Sequence, residues 1–120
     1  MASEGFHEPI ELLDEATLDY HRAMQSLAEE LEAIDWYDQR AKATTDDSLA
    51  AVLIHNRDDE KEHAAMALEW LRRRDSELDA QLRKFLFTSE PVTEVGPGDS
   101  GGTPADTGSL GIGSLKGAGR

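Results

Sequence analysis

The chain has 120 residues and no cysteine, and its 25 acidic residues outnumber its 12 basic residues to give a formal net charge of −13. The length limits it to one small domain. The negative charge repels phosphate backbones and anionic lipid surfaces, which argues against nucleic-acid and membrane partners. Without cysteine, thiolate metal sites, iron–sulfur clusters and disulfides are excluded, so any metal must have oxygen and nitrogen ligands.

The sequence has no apolar stretch that would direct a chain to export or into a membrane. The first 30 residues carry acidic side chains throughout and no apolar run of signal-peptide length. No segment approaches the roughly 18 apolar residues that a membrane-spanning helix needs. We therefore expect a cytoplasmic protein.

A long amphipathic helix is predicted near the start of the chain. Apolar residues recur in steps of three and four from Ile10 to Ile34, the spacing of one face of a helix. Pro9 suits a first helical turn. We place this helix over roughly residues 9–40.

Two further helices are expected after a short polar turn at residues 44–48, which offers several capping side chains. The second helix is predicted over residues 47–74, because three arginines at its end favour the negative pole of the helix dipole. A short third helix follows, capped by Asp75 or Ser76 and stopped between Thr88 and Pro91. The predicted fold class is all-α: an antiparallel two-helix hairpin plus a short C-terminal helix.

The composition changes at Pro91. Nine of the ten glycines and three of the four prolines lie from Pro91 onward, and such a composition cannot bury enough apolar surface to fold. We therefore predict a helical domain over residues 1–91 and a flexible, disordered tail over residues 92–120.

A pair of candidate metal ligands lies in the second helix. Glu60 and His63 are three residues apart and share a helix face. They belong to a heptad-spaced stripe that comprises Leu49, Leu53, Asn56, Glu60, His63, Ala67 and Trp70. Because burying a carboxylate and an imidazole is costly unless they are paired or bound to metal, the stripe favours a ligand site. The alternative is a polar pair that sets the register between helices.

The same pair matches half of a di-iron centre. In ferritin-like carboxylate proteins, two helices of a four-helix bundle each supply one Glu and the other two each supply a Glu-x-x-His pair. Glu30 lies between Leu27 and Ile34 in an apolar stripe of the first helix and is the matching lone Glu. We therefore predict that two hairpins dimerise into a ferritin-like four-helix bundle with the complete ligand set. Iron suits these ligands, and manganese or zinc also fits them.

The chain resembles the encapsulated ferritins over most of its helical part. The matching segments are residues 29–40 (EELEAIDWYDQR), 55–66 (HNRDDEKEHAAM) and 69–73 (EWLRR). In the tail, residues 108–116 (GSLGIGSLK) resemble the peptide by which cargo proteins dock inside encapsulin shells, with apolar anchors at Leu110, Ile112 and Leu115.

The resemblance implies a ferroxidase, an enzyme that oxidises ferrous to ferric iron with oxygen and supplies it for mineral storage. It implies a di-iron centre at a dimer interface, with Glu30, Glu60 and His63 as the catalytic iron ligands. The family assembles as five dimers, so a homodecamer is expected. The implied location is the interior of an encapsulin nanocompartment in the cytoplasm.

The resemblance also implies further cation sites. A secondary acidic site on the route of metal access is matched by Glu29, Glu32 and Trp36. A peripheral cation site, with calcium as a candidate, is matched by His55, Asp59 and Glu62. Asp59 stands where the family pattern has Glu, which shortens its reach. Tyr37 is adjacent to Trp36, and its role stays open between a hydrogen bond to a ligand carboxylate and radical capture.

Two other functions remain open. The first is a non-catalytic, metal-binding helical cargo or adaptor protein. The second is a peroxide-consuming di-iron protein similar to the rubrerythrins. Those proteins usually carry an additional cysteine-ligated electron-transfer site, and this chain has no cysteine.

Overall fold

The structure is a computed structural model that describes residues 5–96. Two short 3-10 helices, Ile10–Leu12 and Val92–Glu94, flank three α-helices. The α-helices are α1 (Glu15–Ala43), α2 (Asp47–Arg74) and α3 (Ser76–Phe85). No strand occurs within the described range, and the predicted all-α class is confirmed.

The first helix begins later than the apolar periodicity predicts. Pro9 is the N-cap of the short 3-10 helix, and Leu13 after that helix is extended. Asp14 caps α1, and its side chain accepts a hydrogen bond of 2.8 Å from the backbone N–H of Thr17. The predicted start at residue 9 is therefore wrong, because a side-chain cap at Asp14 satisfies an N–H group that has no partner inside the helix. At its other end α1 continues to Ala43, past the predicted residue 40.

α1 and α2 form an antiparallel hairpin. Asp46 closes the turn between them, accepting a hydrogen bond of 3.0 Å from the backbone N–H of Leu49. The helices pack against each other along their length. Asp38 of α1 contacts Arg57 of α2, whereas Glu30, two turns earlier in α1, lies beside His63, further along α2. The predicted bounds of α2 and the predicted hairpin are both confirmed.

The hairpin buries few side chains on its own. Among residues 5–74, only Ala64 and Leu71 are buried. Within α1 and α2, the large apolar side chains that remain 40–64% exposed are Met24, Leu31, Trp36, Leu49, Val52, Ile54 and Met66. Because a chain of this size buries a small share of its surface, such a hairpin needs further apolar cover.

The described chain divides into two compact units between Arg74 and Asp75. In the second unit, Asp75 caps α3 by accepting hydrogen bonds of 3.0 Å from the backbone N–H groups of Glu77 and Leu78. The predicted third helix is confirmed. The described residues continue past residue 91 into the 3-10 helix Val92–Glu94. The predicted docking peptide, with Leu110, Ile112 and Leu115, lies outside the described residues.

A search of residues 5–96 for helices long and apolar enough to cross a membrane finds none.

Candidate metal centre

The hairpin brings Glu30, Glu60 and His63 together. Glu30 lies in the middle of α1, and Glu60 and His63 lie one turn apart on α2. His63 Nδ1 is 3.1 Å from Glu60 Oε1 and 3.7 Å from Glu30 Oε1. One ligand atom from each residue lies within 4.8 Å of the others. Within the described residues no other group of three acidic or histidine side chains is so placed.

The cluster is open on one side. The side chains of Glu60 and Glu30 are 23% and 28% exposed, whereas that of His63 is 51% exposed. The sequence pattern places all three on a face that should be buried. A single chain covers the two carboxylates partly and leaves the imidazole at the edge of the hairpin, so the cover predicted for this face must come from elsewhere.

The two carboxylates are not electrostatically equivalent. A hydrogen bond with Glu60 raises the pKa of Glu30, helped by desolvation and by the negative charge of Glu60. The same hydrogen bond, together with one from His63, lowers the pKa of Glu60. The hydrogen bond to Glu60 raises the pKa of His63. The three side chains are therefore electrostatically coupled to one another, as the ligands of one cation would be.

The donor chemistry fits iron. Two carboxylates and one imidazole form a mixed oxygen and nitrogen set that accepts ferrous iron, manganese or zinc. A closed structural zinc site needs four protein ligands, and this cluster offers three. The open side therefore leaves coordination positions for a second metal, for small molecules or for ligands from another copy of the chain.

The other predicted cation sites do not gather within one chain. Glu29, Glu32 and Trp36 are exposed residues of α1, with Trp36 48% exposed. Along residues 5–96 they join no three-residue group of acidic and histidine side chains.

Two of the three residues predicted for a peripheral cation site lie close together. His55 Nε2 lies 3.3 Å from Asp59 Oδ2, and both side chains are exposed. Glu62 lies instead beside a different depression, with Ala65 and Met66. The ring of Tyr37 has the guanidinium carbon of Arg40 5.5 Å from its centre.

One charged network was not predicted from the sequence. Arg57 Nη1 donates a hydrogen bond of 2.9 Å to Asp38 Oδ1, and Arg57 Nε donates one of 3.0 Å to Asp58 Oδ1. Lys42 extends the network to Asp38, and Lys61 extends it to Asp58. The hydrogen bond from Arg57 lowers the pKa of Asp38, as does that from Lys42. Opposite charges at Asp38 and Arg57 are visible in the sequence, but pairing them requires the register of the hairpin.

Comparison with known proteins gives close relatives over nearly the whole chain. An encapsulated ferritin-like protein of Rhodospirillum rubrum is 53% identical over 127 aligned positions, covering 97% of this chain and 91% of that protein. A ferritin-like protein of Thermotoga maritima is 47% identical, covering 94% of this chain and 99% of the relative. An encapsulin nanocompartment cargo protein of Myxococcus xanthus is 36% identical, covering 64% of this chain and 66% of the relative.

The fold comparison agrees with the sequence comparison. A crystal structure of a protein from Nitrosomonas europaea has a TM-score of 0.73 and 53% sequence identity, covering 75% of this chain and 99% of that chain. The family model EncFtn-like matches residues 5–89. The chain therefore belongs to the EncFtn-like family, the encapsulated ferritin-like proteins.

Proposed function

We propose that this protein is a ferroxidase that binds ferrous iron at Glu30, Glu60 and His63 and oxidises it with dioxygen. The single observation that supports the proposal most strongly is the convergence of these side chains from two helices within 4.8 Å. Ferritin-like relatives add support at the level of the family. The net charge of −13 favours cations over anions throughout the approach to the site.

In the proposed reaction, each ferrous ion loses one electron to dioxygen. Two ferrous ions and two protons convert one dioxygen molecule to hydrogen peroxide, and four ferrous ions with four protons convert it to two water molecules. Glu30 and Glu60 hold the metal and balance the increased charge of the ferric product. His63 supplies a neutral nitrogen ligand, so metal binding releases the proton that its hydrogen bond to Glu60 favours.

The site that we propose is shared between two copies. One chain supplies two carboxylates and one imidazole, which is half of the ferritin-like di-iron set. A two-fold axis beside the open edge of the hairpin would bring a second identical half against the first. The apolar side chains exposed on the hairpin are consistent with such a pairing. A homodecamer of five dimers remains the expectation from the family resemblance.

Around this centre we propose Glu29, Glu32 and Trp36 as a route of metal access, completed by side chains from a second copy. His55 and Asp59, already 3.3 Å apart, are the proposed core of a peripheral cation site, with Glu62 as an outer ligand. The carboxylates of Asp59 and Glu62 suit calcium, which accepts flexible oxygen ligands, whereas the imidazole of His55 is better suited to a transition metal such as zinc.

The ferroxidase proposal is tested by oxygen uptake after aerobic addition of ferrous iron to metal-free protein. Glu30→Gln and Glu60→Gln should each reduce the initial rate by at least about tenfold, because loss of even an indirect metal-site partner costs that much. Glu15→Gln is a matched control, since Glu15 is an exposed residue of α1 far from the cluster.

Different outcomes separate the alternatives. Metal binding without oxygen uptake in any form of the protein would indicate a non-catalytic cargo or adaptor protein. Faster iron oxidation with peroxide than with dioxygen would indicate a peroxide-consuming di-iron protein. Equal oxygen uptake by the wild type and both glutamine variants would contradict the proposed site.

We further propose that the tail carries this enzyme into an encapsulin shell. The Myxococcus xanthus relative is named as encapsulin cargo, and the proposed division places a helical domain at residues 1–91 before a linker and a docking peptide at residues 108–116. Apolar side chains such as Leu and Ile in a linear peptide can fill pockets on a partner protein.

Deleting residues 109–116 tests the docking role. We expect the shortened chain to retain oxygen uptake and to lose co-purification with a co-expressed shell protein. Substituting Leu110, Ile112 and Leu115 by Ser should have the same effect, whereas Ser109→Ala is the control. Normal loading of the deleted chain into shells would rule out this peptide as the docking element.

A further inference from the structure

Asn56 is a polar residue of α2 that the proposed metal site leaves without a role. It belongs to the heptad-spaced stripe of that helix. Leu53, Asn56 and Glu60 are half-buried in the structure, whereas Ile54 and Asp58 are exposed. This burial pattern places Asn56 one helical turn before Glu60, on the same face of the helix.

The side-chain amide of Asn56 has no partner in the described part of the chain. Across residues 5–96 the structure shows no hydrogen bond to it. An amide that is partly removed from water without gaining a partner costs free energy. Asn is also a poorer helix former than the Leu and Ala residues at neighbouring positions of the stripe. Neither packing nor helix formation therefore explains an amide at this position.

The metal-free cluster is held by hydrogen bonds that metal binding would replace. Glu30 and Glu60 share one hydrogen bond, and His63 Nδ1 lies 3.1 Å from Glu60 Oε1 in another. A metal ion bound by the same oxygen and nitrogen atoms would replace both contacts by coordination. Glu60 would then lose both of its present partners. Because carboxylates that bind metal are normally held by a further hydrogen bond, Glu60 would need a new donor.

Asn56 is the donor that remains within reach of Glu60 on α2. The positions one turn away are three or four residues before and after it. Arg57 already donates hydrogen bonds to two aspartates, His63 would be a metal ligand, and Ala64 carries no side-chain donor. Asn56 has two N–H donors on its amide, and side chains four residues apart on a helix have Cβ atoms only about 5–6 Å from each other.

We propose that Asn56 positions Glu60 in the metal-bound site by donating a hydrogen bond to the carboxylate oxygen that does not bind the metal. Asn56 is a positioning residue, since it acts through Glu60 and does not touch the metal. The inference rests on the proposed metal site at Glu30, Glu60 and His63. The amide without a partner in the metal-free chain is a donor held ready for the metal-bound state.

The first test is isothermal titration of the metal-free full chain with zinc. Asn56→Leu should weaken zinc binding by at least about tenfold, as loss of a hydrogen-bond partner of a metal ligand does. Asn56→Gln should retain most of the affinity, because it keeps the amide on a longer side chain. Gln39→Leu is the matched control, since Gln39 donates its amide to Asp35 on the exposed side of α1.

The second test separates positioning from a purely structural role. Thermal unfolding of the metal-free chains is followed by circular dichroism. Asn56→Leu should unfold at the wild-type temperature or above it, because Leu suits the apolar stripe and removes an amide without a partner. A residue that only supports the fold or sets the register of the helices would lose stability and zinc affinity together.

The possible outcomes distinguish this inference from the metal site on which it rests. Equal zinc affinity of the wild type and Asn56→Leu would overturn the role of Asn56 and leave the metal site intact. Equal losses of affinity in Asn56→Leu and Asn56→Gln would also overturn it, as would a lower unfolding temperature of metal-free Asn56→Leu. Absence of zinc binding from the wild type would instead contradict the metal site itself.

Discussion

Glu30 and Glu60 share a hydrogen bond that pushes their pKa values apart, with Glu30 raised and Glu60 lowered. A cation bound between them would neutralise both carboxylates at once.

The proximity of Glu60 to His63 was predictable because residues three apart share a helix face. Glu30 was predictable because Leu27 and Ile34 mark the face of α1 that meets α2. The half-exposed position of the His63 side chain was not predictable from the sequence, because it depends on how each helix is rotated about its own axis.

Glu69 provides a test of ionic interactions at the scale of one residue. Its carboxylate accepts hydrogen bonds of 2.7–2.8 Å from Arg72 and Arg73, which lower its pKa to about 2. A depressed pKa stabilises the fold above the ordinary value near 4.5, and this contribution is lost as the pH falls toward about 2. Because the side chain is 41% exposed, solvent screens the interaction and its contribution stays below about 1 kcal/mol.

We therefore predict that Glu69→Gln lowers the free energy of unfolding by less than about 1 kcal/mol at pH 7. The difference from wild type should shrink as the pH falls below about 4.5. Urea unfolding followed by circular dichroism at pH 7 and pH 3 measures it, with Glu8→Gln as a control outside the α-helices. A wild-type advantage that is the same at both pH values would show that the ion pairs do not cause it.

At the scale of helices, capping residues and charged residues determined which helix ends could be predicted from the sequence. The bounds of α2 were predictable because polar capping residues precede it and three arginines end it. The start of α1 was misplaced because apolar spacing continues through the 3-10 helix at Ile10–Leu12, and Asp14 is one of several acidic residues that could have been the cap. The pairing of Asp38 with Arg57 depends on the turn between the helices, whose geometry a linear pattern does not contain.

The Asp38–Arg57 pair should help to position the metal ligands. The pair lies two turns from Glu30 in α1 and one to two turns from Glu60 and His63 in α2. We predict that Asp38→Asn and Arg57→Gln each weaken zinc binding on the order of tenfold, as indirect supports of a metal site do. The double variant should be little worse than either single variant, because the two side chains act through one contact.

Isothermal titration with zinc measures this coupling, and circular dichroism checks that helical content is retained. Lys42→Gln is a control because Lys42 contacts Asp38 without bridging the helices. Fully additive losses in the double variant would show that Asp38 and Arg57 do not act through their mutual contact.

At the scale of the whole molecule, one chain is incomplete in two respects. Its hairpin buries two side chains and leaves seven large apolar residues at least 40% exposed. It also gathers three candidate ligand side chains, which is half of the set in a ferritin-like di-iron centre. Pairing of two hairpins would supply apolar cover and the missing ligands together. Chain length and ligand count led to the prediction of a dimer, but the relative arrangement of two copies depends on side-chain surfaces that a linear pattern does not contain.

A single-turnover iron oxidation that follows ferric absorbance and oxygen uptake together tests the proposed ferroxidase centre. Increasing ferrous iron is added to metal-free wild type, to His63→Ala, and to His7→Ala as an exposed histidine outside the cluster. We expect rapid oxidation that saturates at about one iron per chain in wild type and His7→Ala, because two irons would occupy a site shared by two chains. This rapid phase should be lost in His63→Ala. Equal oxidation in all three proteins would contradict a ferroxidase centre built from Glu30, Glu60 and His63.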